Sequence, residues 1–212
     1  MFLIDRQIFF FTIPSLELIQ NIKPIRNVIA FAADHQHLSR TVPPIDSPLP
    51  LLPVDFCVVK RTGIMLYSLR ESLSYIKVSK RFDPVSTNYL PTTSNQDIPL
   101  PGGAFFARRI GMSLCIADRE QYILVNLSAA TATPILPISQ VPPEPGTRPH
   151  RPMILVVTEE EFLILSWTGA GTMGVFINLN GDPVRGTLQW EAHPLSISPS
   201  LLPLLPRHFF GV

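Results

Sequence analysis

Three short apolar hairpins stand out in the hydrophobic pattern. Residues 56–69 read FCVVKRTGIMLYSL and residues 114–127 read LCIADREQYILVNL; the two align without a gap at an offset of 58. Cys57 falls on Cys115, Val58 on Ile116, Leu66 on Leu124 and Leu69 on Leu127. Residues 162–165 and 175–179 repeat the pattern, with a connecting loop four residues longer. Each arm is a short run rich in β-branched, aromatic and other apolar side chains and closed by turn residues, which predicts strands. Extended outward, the hairpins predict strands at 27–32, 54–60, 63–69 and 73–77, then 103–107, 112–117, 121–127 and 133–138, then 153–157, 161–167, 174–179 and 185–190. A further strand is expected at 7–13, as the end of a preceding unit.

A four-stranded antiparallel unit repeated along a chain is the blade of a β-propeller. The expected class is therefore all-β, a partial propeller of about three blades. A β-sandwich could be built from the same hairpins. It would expose one face of each sheet and show apolar–polar alternation, whereas these runs are almost continuously apolar, as suits strands covered on both faces.

The one motif that looks like chemistry lies in the third hairpin. Gly169, Gly171 and Gly174 spell G-x-G-x-x-G. A dinucleotide site needs a helix after the glycines, whose N-terminus holds the pyrophosphate. Here VFINL follows and then Asn-Gly-Asp-Pro, a strand and a turn. A kinase-type loop would need a lysine on the next strand, yet no lysine follows residue 80. The expectation is an exposed hairpin loop at 169–174 whose glycines permit positive φ. The alternative is a nucleotide-binding enzyme that uses this loop.

The segment PMILVVTEEEFLILSWTGAGTMGVFINLNGDPVRGTLQWEAHPLSI, residues 152–197, resembles the citron homology (CNH) domain of the vacuolar-sorting and TGF-β-receptor-associated protein family. IRNVIAF, VDFCVVKRTGIMLYSL and GGAFFARRIGMSLCIADREQYILVNL fit the same group in the right order. The resemblance covers most of residues 8–77 and 98–197 and describes a partial copy of the domain over 1–197. It implies a non-catalytic module of endosomal and vacuolar tethering complexes. Such a module binds a Rab-family small GTPase or fellow complex subunits, and lies in the cytoplasm, on endosome or vacuole membranes only through partners. It implies no catalytic, cofactor-binding or metal-binding residue and leaves the interaction residues unassigned. Two stretches depart from the pattern: 78–97, expected as a polar surface loop without core residues, and the Pro/Leu-rich tail 198–212.

Composition narrows the rest. Apolar residues make up 46% and charged residues 16% of 212, enough for a substantial core. A net charge of +1 provides no electrostatic footprint for nucleic acid. Asp5 and Arg6 break the apolar start MFLIDRQIFFFTIP, so it does not read as a signal peptide, and no apolar run approaches the ~20 residues that cross a bilayer. His35 and His37, in the Pro-rich stretch 34–53, lack the partners of a closed zinc site and are expected in a solvated loop. Cys57 and Cys115, at equivalent strand positions, are expected as buried reduced thiols. Asn126-Leu127-Ser128 spells a glycosylation sequon at a strand end. The charges at 60–63, 118–120 and 159–161 are expected to be solvated turns. Residues 139–152 are expected as a Pro-rich linker between units.

Overall fold

The computed structural model describes residues 1–12, 15–20, 22–41, 52–61, 63–72, 75–81, 104–143 and 145–197. The chain divides into two compact units, Met1–Gly103 and Ala104–Val212. Both are built from antiparallel sheets, four in all among the described residues.

The first unit opens with β1 (Phe2–Ile4), β2 (Gln7–Phe9) and β3 (Ile25–Arg26), a three-stranded sheet. The strand expected at 7–13 is thus shorter and is one arm of a hairpin. Ile4 pairs with Gln7 across Asp5 and Arg6, whose φ values of 47° and 59° are those of a type I′ turn. The polar pair that interrupts the apolar run is where the chain reverses. The second sheet follows as β4 (Ala30–Ala33), β5 (Val54–Lys60), β6 (Gly63–Ser72) and β7 (Tyr75–Arg81), paired in chain order. β7 continues through residues 78–81, with Leu69 opposite Val78 and Leu66 opposite Arg81. Those four residues are expected in a loop; residues Leu66–Leu69 of β6 offer them a pairing edge. Residues 82–97 of that stretch lie outside the described ones, as do 42–51 and the tail 198–212. Ile8, Phe10, Ile25 and Val28 pack with Phe56 and Val58 into one core, where Phe56 stacks on Tyr67 at 5.3 Å.

The second unit holds two four-stranded meanders. One is β8 (Phe106–Ile110), β9 (Ser113–Ala117), β10 (Gln121–Asn126) and β11 (Thr131–Pro137). The other is β12 (Ile154–Val156), β13 (Glu161–Trp167), β14 (Thr172–Asn178) and β15 (Leu188–Trp190). β8 begins three residues later than the strand expected at 103–107, and β15 is confined to the end of the one expected at 185–190.

The repeat is reproduced in the ladders. Cys57 faces Leu66 and Cys115 faces Leu124; Val58 faces Met65 and Ile116 faces Ile123. The third hairpin departs from expectation in an instructive way. Its four additional residues do not enlarge the loop. They lengthen the ladder, with Trp167 opposite Thr172 and the Thr168 N–H donating to the Gly171 carbonyl at 2.8 Å, so only Gly169 and Ala170 turn the chain. Gly169, at φ 97°, takes the first turn position that calls for glycine in a II′ hairpin.

β9 is buried at every residue and β13 at 162–166, so both faces of these strands are covered. Between the two meanders lie Ile110, Cys115, Tyr122, Phe162, Ile164 and Ile177, among others. Each large apolar side chain buried there contributes roughly 2 kcal/mol. Polar links cross the same seam: Ser166 Oγ donates to the Pro137 carbonyl at 2.8 Å, and Ser113 Oγ to that of Leu179 at 3.2 Å. The Trp167 N–H donates to Ile138 and the Gln140 N–H to Trp167, so the start of the 139–152 segment pairs with the end of β13.

Candidate functional site

The glycine motif is a place of close packing. Of its three glycines only Gly169 has positive φ, and only Gly169 lies in the turn. Gly171 closes the turn and Gly174 is a buried residue of β14, so the loop is shorter than the 169–174 expected. Their lack of a side chain serves Trp190. A Cβ at Gly171 would lie 2.6 Å from the Trp190 carbonyl oxygen, and one at Gly174 2.8 Å from Cζ3 of its indole. β14 follows directly. The only helix among the described residues is the four-residue α1 (His35–Leu38), so no helix N-terminus faces these glycines.

At the same end of the β12–β15 sheet sits a cluster that the sequence did not reveal. The His150 ring stacks on Trp167 at 4.8 Å and lies 5.1 Å from the His193 ring. His193 Nε2 lies 2.8 Å from the Arg151 carbonyl, so it must carry a proton and donate, and Nδ1 shares a hydrogen bond with Thr172 Oγ1 at 3.1 Å. Desolvation first, and then the neighbouring His193, lower the pKa of His150. With both His193 nitrogens engaged in this way, the pair does not offer two ligands to a metal. No group of three or more His, Cys, Asp or Glu side chains comes together among the described residues.

Several residues expected in solvated loops are structural. His37 lies in α1, which Asp34 caps by accepting from the Gln36 N–H at 3.1 Å. His37 Nδ1 accepts from the Asp55 N–H at 2.9 Å, and its side chain is only 15% exposed. His35 is partly buried in the same turn. Asp118 is buried, and its Oδ1 accepts from the N–H groups of Glu120 and Gln121 at 2.8 and 2.7 Å, closing the second hairpin. Glu161 begins β13 and pairs with Arg185, which also lies over the Phe176 ring. Asn126 Oδ1 accepts from Ser128 and Ala129 and so caps the turn after β10. Cys57 and Cys115 are both fully buried thiols, one in each unit, and burial pushes the Cys115 pKa up.

The second unit also has an open cleft of about 240 Å³ where β8 meets β12. Phe106 and Arg108 line it from β8, Arg151 and Met153 from the approach to β12, and Leu195 and Ile197 from the segment after β15. The Arg108 guanidinium lies 4.2 Å from the centre of the Phe106 ring, and partial loss of water lowers its pKa. Two cations beside an apolar wall can hold an anionic group attached to an apolar one. Among the described residues no helix is long and apolar enough to cross a membrane.

No protein-family model matches the chain. Vacuolar protein sorting-associated protein 3 of Schizosaccharomyces pombe is 27% identical over 88 residues, which is 42% of this chain and 10% of that protein. The matched stretch is thus about a tenth of the relative's length, and the likeness relates the chain in part to vacuolar sorting.

Proposed function

We propose that this chain is a partial CNH-type β-propeller acting as a non-catalytic protein-interaction module in vacuolar and endosomal transport. Its partners are a Rab-family small GTPase or subunits of a tethering complex, and it reaches endosome or vacuole membranes through them. The observation that carries the reading is the partial likeness to a vacuolar sorting protein, on a chain of antiparallel sheets. Three features support blades over a sandwich. The four-stranded sheets run in chain order, as meanders. The second strand of each has no exposed residue and is buried over at least four consecutive positions, which a sheet with one wet face does not allow. In the second unit the first strands of the two meanders, β8 and β12, lie side by side, as do the inner strands of neighbouring blades. The glycine motif leads into a strand and seats an indole, which favours scaffold over nucleotide site.

The test is direct binding. The purified chain is titrated by biolayer interferometry with a panel of recombinant Rab-family GTPases, each loaded with GDP or a non-hydrolysable GTP analogue, and with individual tethering-complex subunits. Saturable binding of one of them, abolished by unfolding the chain, is expected. Failure of the whole panel would overturn the proposal. Saturable binding of free GTP or ATP, lost in Gly171→Val, would replace it with the nucleotide-site reading.

A further inference from the structure

We propose that the cleft between β8 and β12 seats an acidic–apolar peptide segment of a protein partner, with a carboxylate held by Arg108 and Arg151 and a neighbouring apolar side chain laid against Leu195 and Ile197. Placing a peptide there rests on the interaction-module reading above and names the chemistry of the contact.

The charges in the cleft are one-sided. Its lining includes two arginines, Arg108 and Arg151, and no acidic residue. Arg108 donates from Nη1 to the adjacent Ala107 carbonyl at 3.1 Å and rests on Phe106, which leaves most of its five donors for a ligand. Arg151 is engaged through its main-chain carbonyl, by His193, which fixes the backbone that carries the side chain. Neither guanidinium forms an ion pair among the described residues, unlike Arg185, which is matched to Glu161. A planar fork beside a second cation suits a carboxylate, which accepts two parallel N–H bonds.

The rest of the lining demands more than a free anion. Leu195 is 93% exposed at the rim, the most exposed large apolar side chain of the described residues. Ile197 is partly buried beside it and packs onto the far face of the β12–β15 sheet. An occupant that covers Leu195 gains apolar burial together with the charge contact. The cleft is smaller than the ~300–1,000 Å³ pockets that enclose cofactor-sized ligands, so one or two anchoring side chains fit it better than a whole small molecule. Two cations on a chain of net charge +1 do not make a track for a nucleic acid backbone.

The experiment uses the full chain and a fluorescein-labelled hexapeptide of alternating glutamate and leucine, followed by fluorescence anisotropy. Saturable binding is expected, weakened about tenfold or more by Arg108→Gln with Arg151→Gln, because charge-assisted hydrogen bonds are lost. Added salt should weaken it as well. Arg151→Gln alone guards against misfolding, since that side chain makes no hydrogen bond within the described protein. Leu195→Ser should weaken binding without changing its salt dependence. Three results would each overturn the proposal: no saturation, equal binding of the glutamine–leucine hexapeptide, or wild-type affinity in the double arginine variant. Phosphatidylserine–phosphatidylcholine vesicles that displace the peptide and sediment with the chain would reassign the cleft to lipid, and overturn it too. If a GTPase or subunit binds while the peptide does not, the cleft assignment alone fails. If the peptide binds and no panel member does, the cleft stands and the partner class falls.

Discussion

Replacing Tyr122 with phenylalanine should expose how the second unit is held together. Tyr122 is fully buried on β10, and its hydroxyl reaches into the neighbouring meander. There it donates to the Leu165 carbonyl at 2.7 Å and accepts from the Met153 N–H at 3.0 Å. The β12–β13 ladder runs Val156–Phe162, Leu155–Leu163, Ile154–Ile164, so Met153 and Leu165 would be its next pair. The phenol oxygen stands in for that rung. Tyr122→Phe removes one oxygen and leaves a main-chain donor and an acceptor unsatisfied, with neither burial nor ring packing otherwise changed. Each orphaned buried group costs about 1–3 kcal/mol, and partial hydration at the mouth of the cleft reduces the sum to about 2–3 kcal/mol. The assay is urea unfolding followed by tryptophan fluorescence. The chain has two tryptophans, Trp167 and Trp190, both in the second unit, so the signal reports on the structure in question. The midpoint should fall with the slope unchanged. A variant within about 0.5 kcal/mol of wild type, the range of an ordinary surface change, would refute the rung. The phenol also predicts alkaline behaviour. Burial pushes the Tyr122 pKa above its ordinary 10.0, so its contribution is complete below pH 10.0 and is lost as the pH rises through the folded-state value. The wild type should therefore lose stability more steeply in alkali than Tyr122→Phe.

Other consequences follow from the same structure. Gly171→Ala should destabilise by about 1–3 kcal/mol, because its Cβ meets a main-chain oxygen that cannot swing aside, and Gly174→Ala should displace the Trp190 indole and shift its emission; wild-type stability and spectra would refute the seat. His150 has a lowered pKa, so its favourable contribution is present above the ordinary value of 6.5 and is lost as the pH falls toward the folded-state value. The drop in urea midpoint between neutral and mildly acidic pH should accordingly be smaller in His150→Gln, and an unchanged profile would refute the assignment. Both cysteines should resist an aromatic disulfide reagent in the native chain and react in denaturant, as buried thiols do. Rapid native labelling would contradict the burial, and a disulfide between them found by mass spectrometry would contradict the two reduced thiols.

Much of the local architecture was legible from residue order. The first two hairpins align in sequence, and their ladders pair Cys57 with Leu66 and Cys115 with Leu124, because apolar strand length and the intervening turn together set a hairpin's register. Asp5 and Arg6 break an apolar run, and a reversal is what such a break becomes when the flanking residues can pair. Strand ends were less legible. Residues 78–81 are strand because β6 presents Leu66–Leu69 as an edge opposite them, a property of the partner and not of residues 78–81.

What the sequence could not display are contacts between residues far apart in the chain. Tyr122 reads locally as one more apolar strand residue; only the packing of two sheets places its hydroxyl at the missing rung, 43 residues away at Leu165. The glycine motif reads as a hairpin loop because a strand and a turn follow it and glycines permit positive φ, yet two of them owe their identity to Trp190 pressing on β14. His150 and His193 carry no spacing that predicts a stack on Trp167. Arg108 and Arg151 become neighbours only when β8 and β12 meet. Apolar pattern and turn chemistry act over a few residues and by themselves determined which segments of this chain form hairpins, while the strand ends depend on the partner strand. The groups that could recognise a partner are set by steric exclusion, polar satisfaction and charge across sheets, and only the tertiary structure decided those.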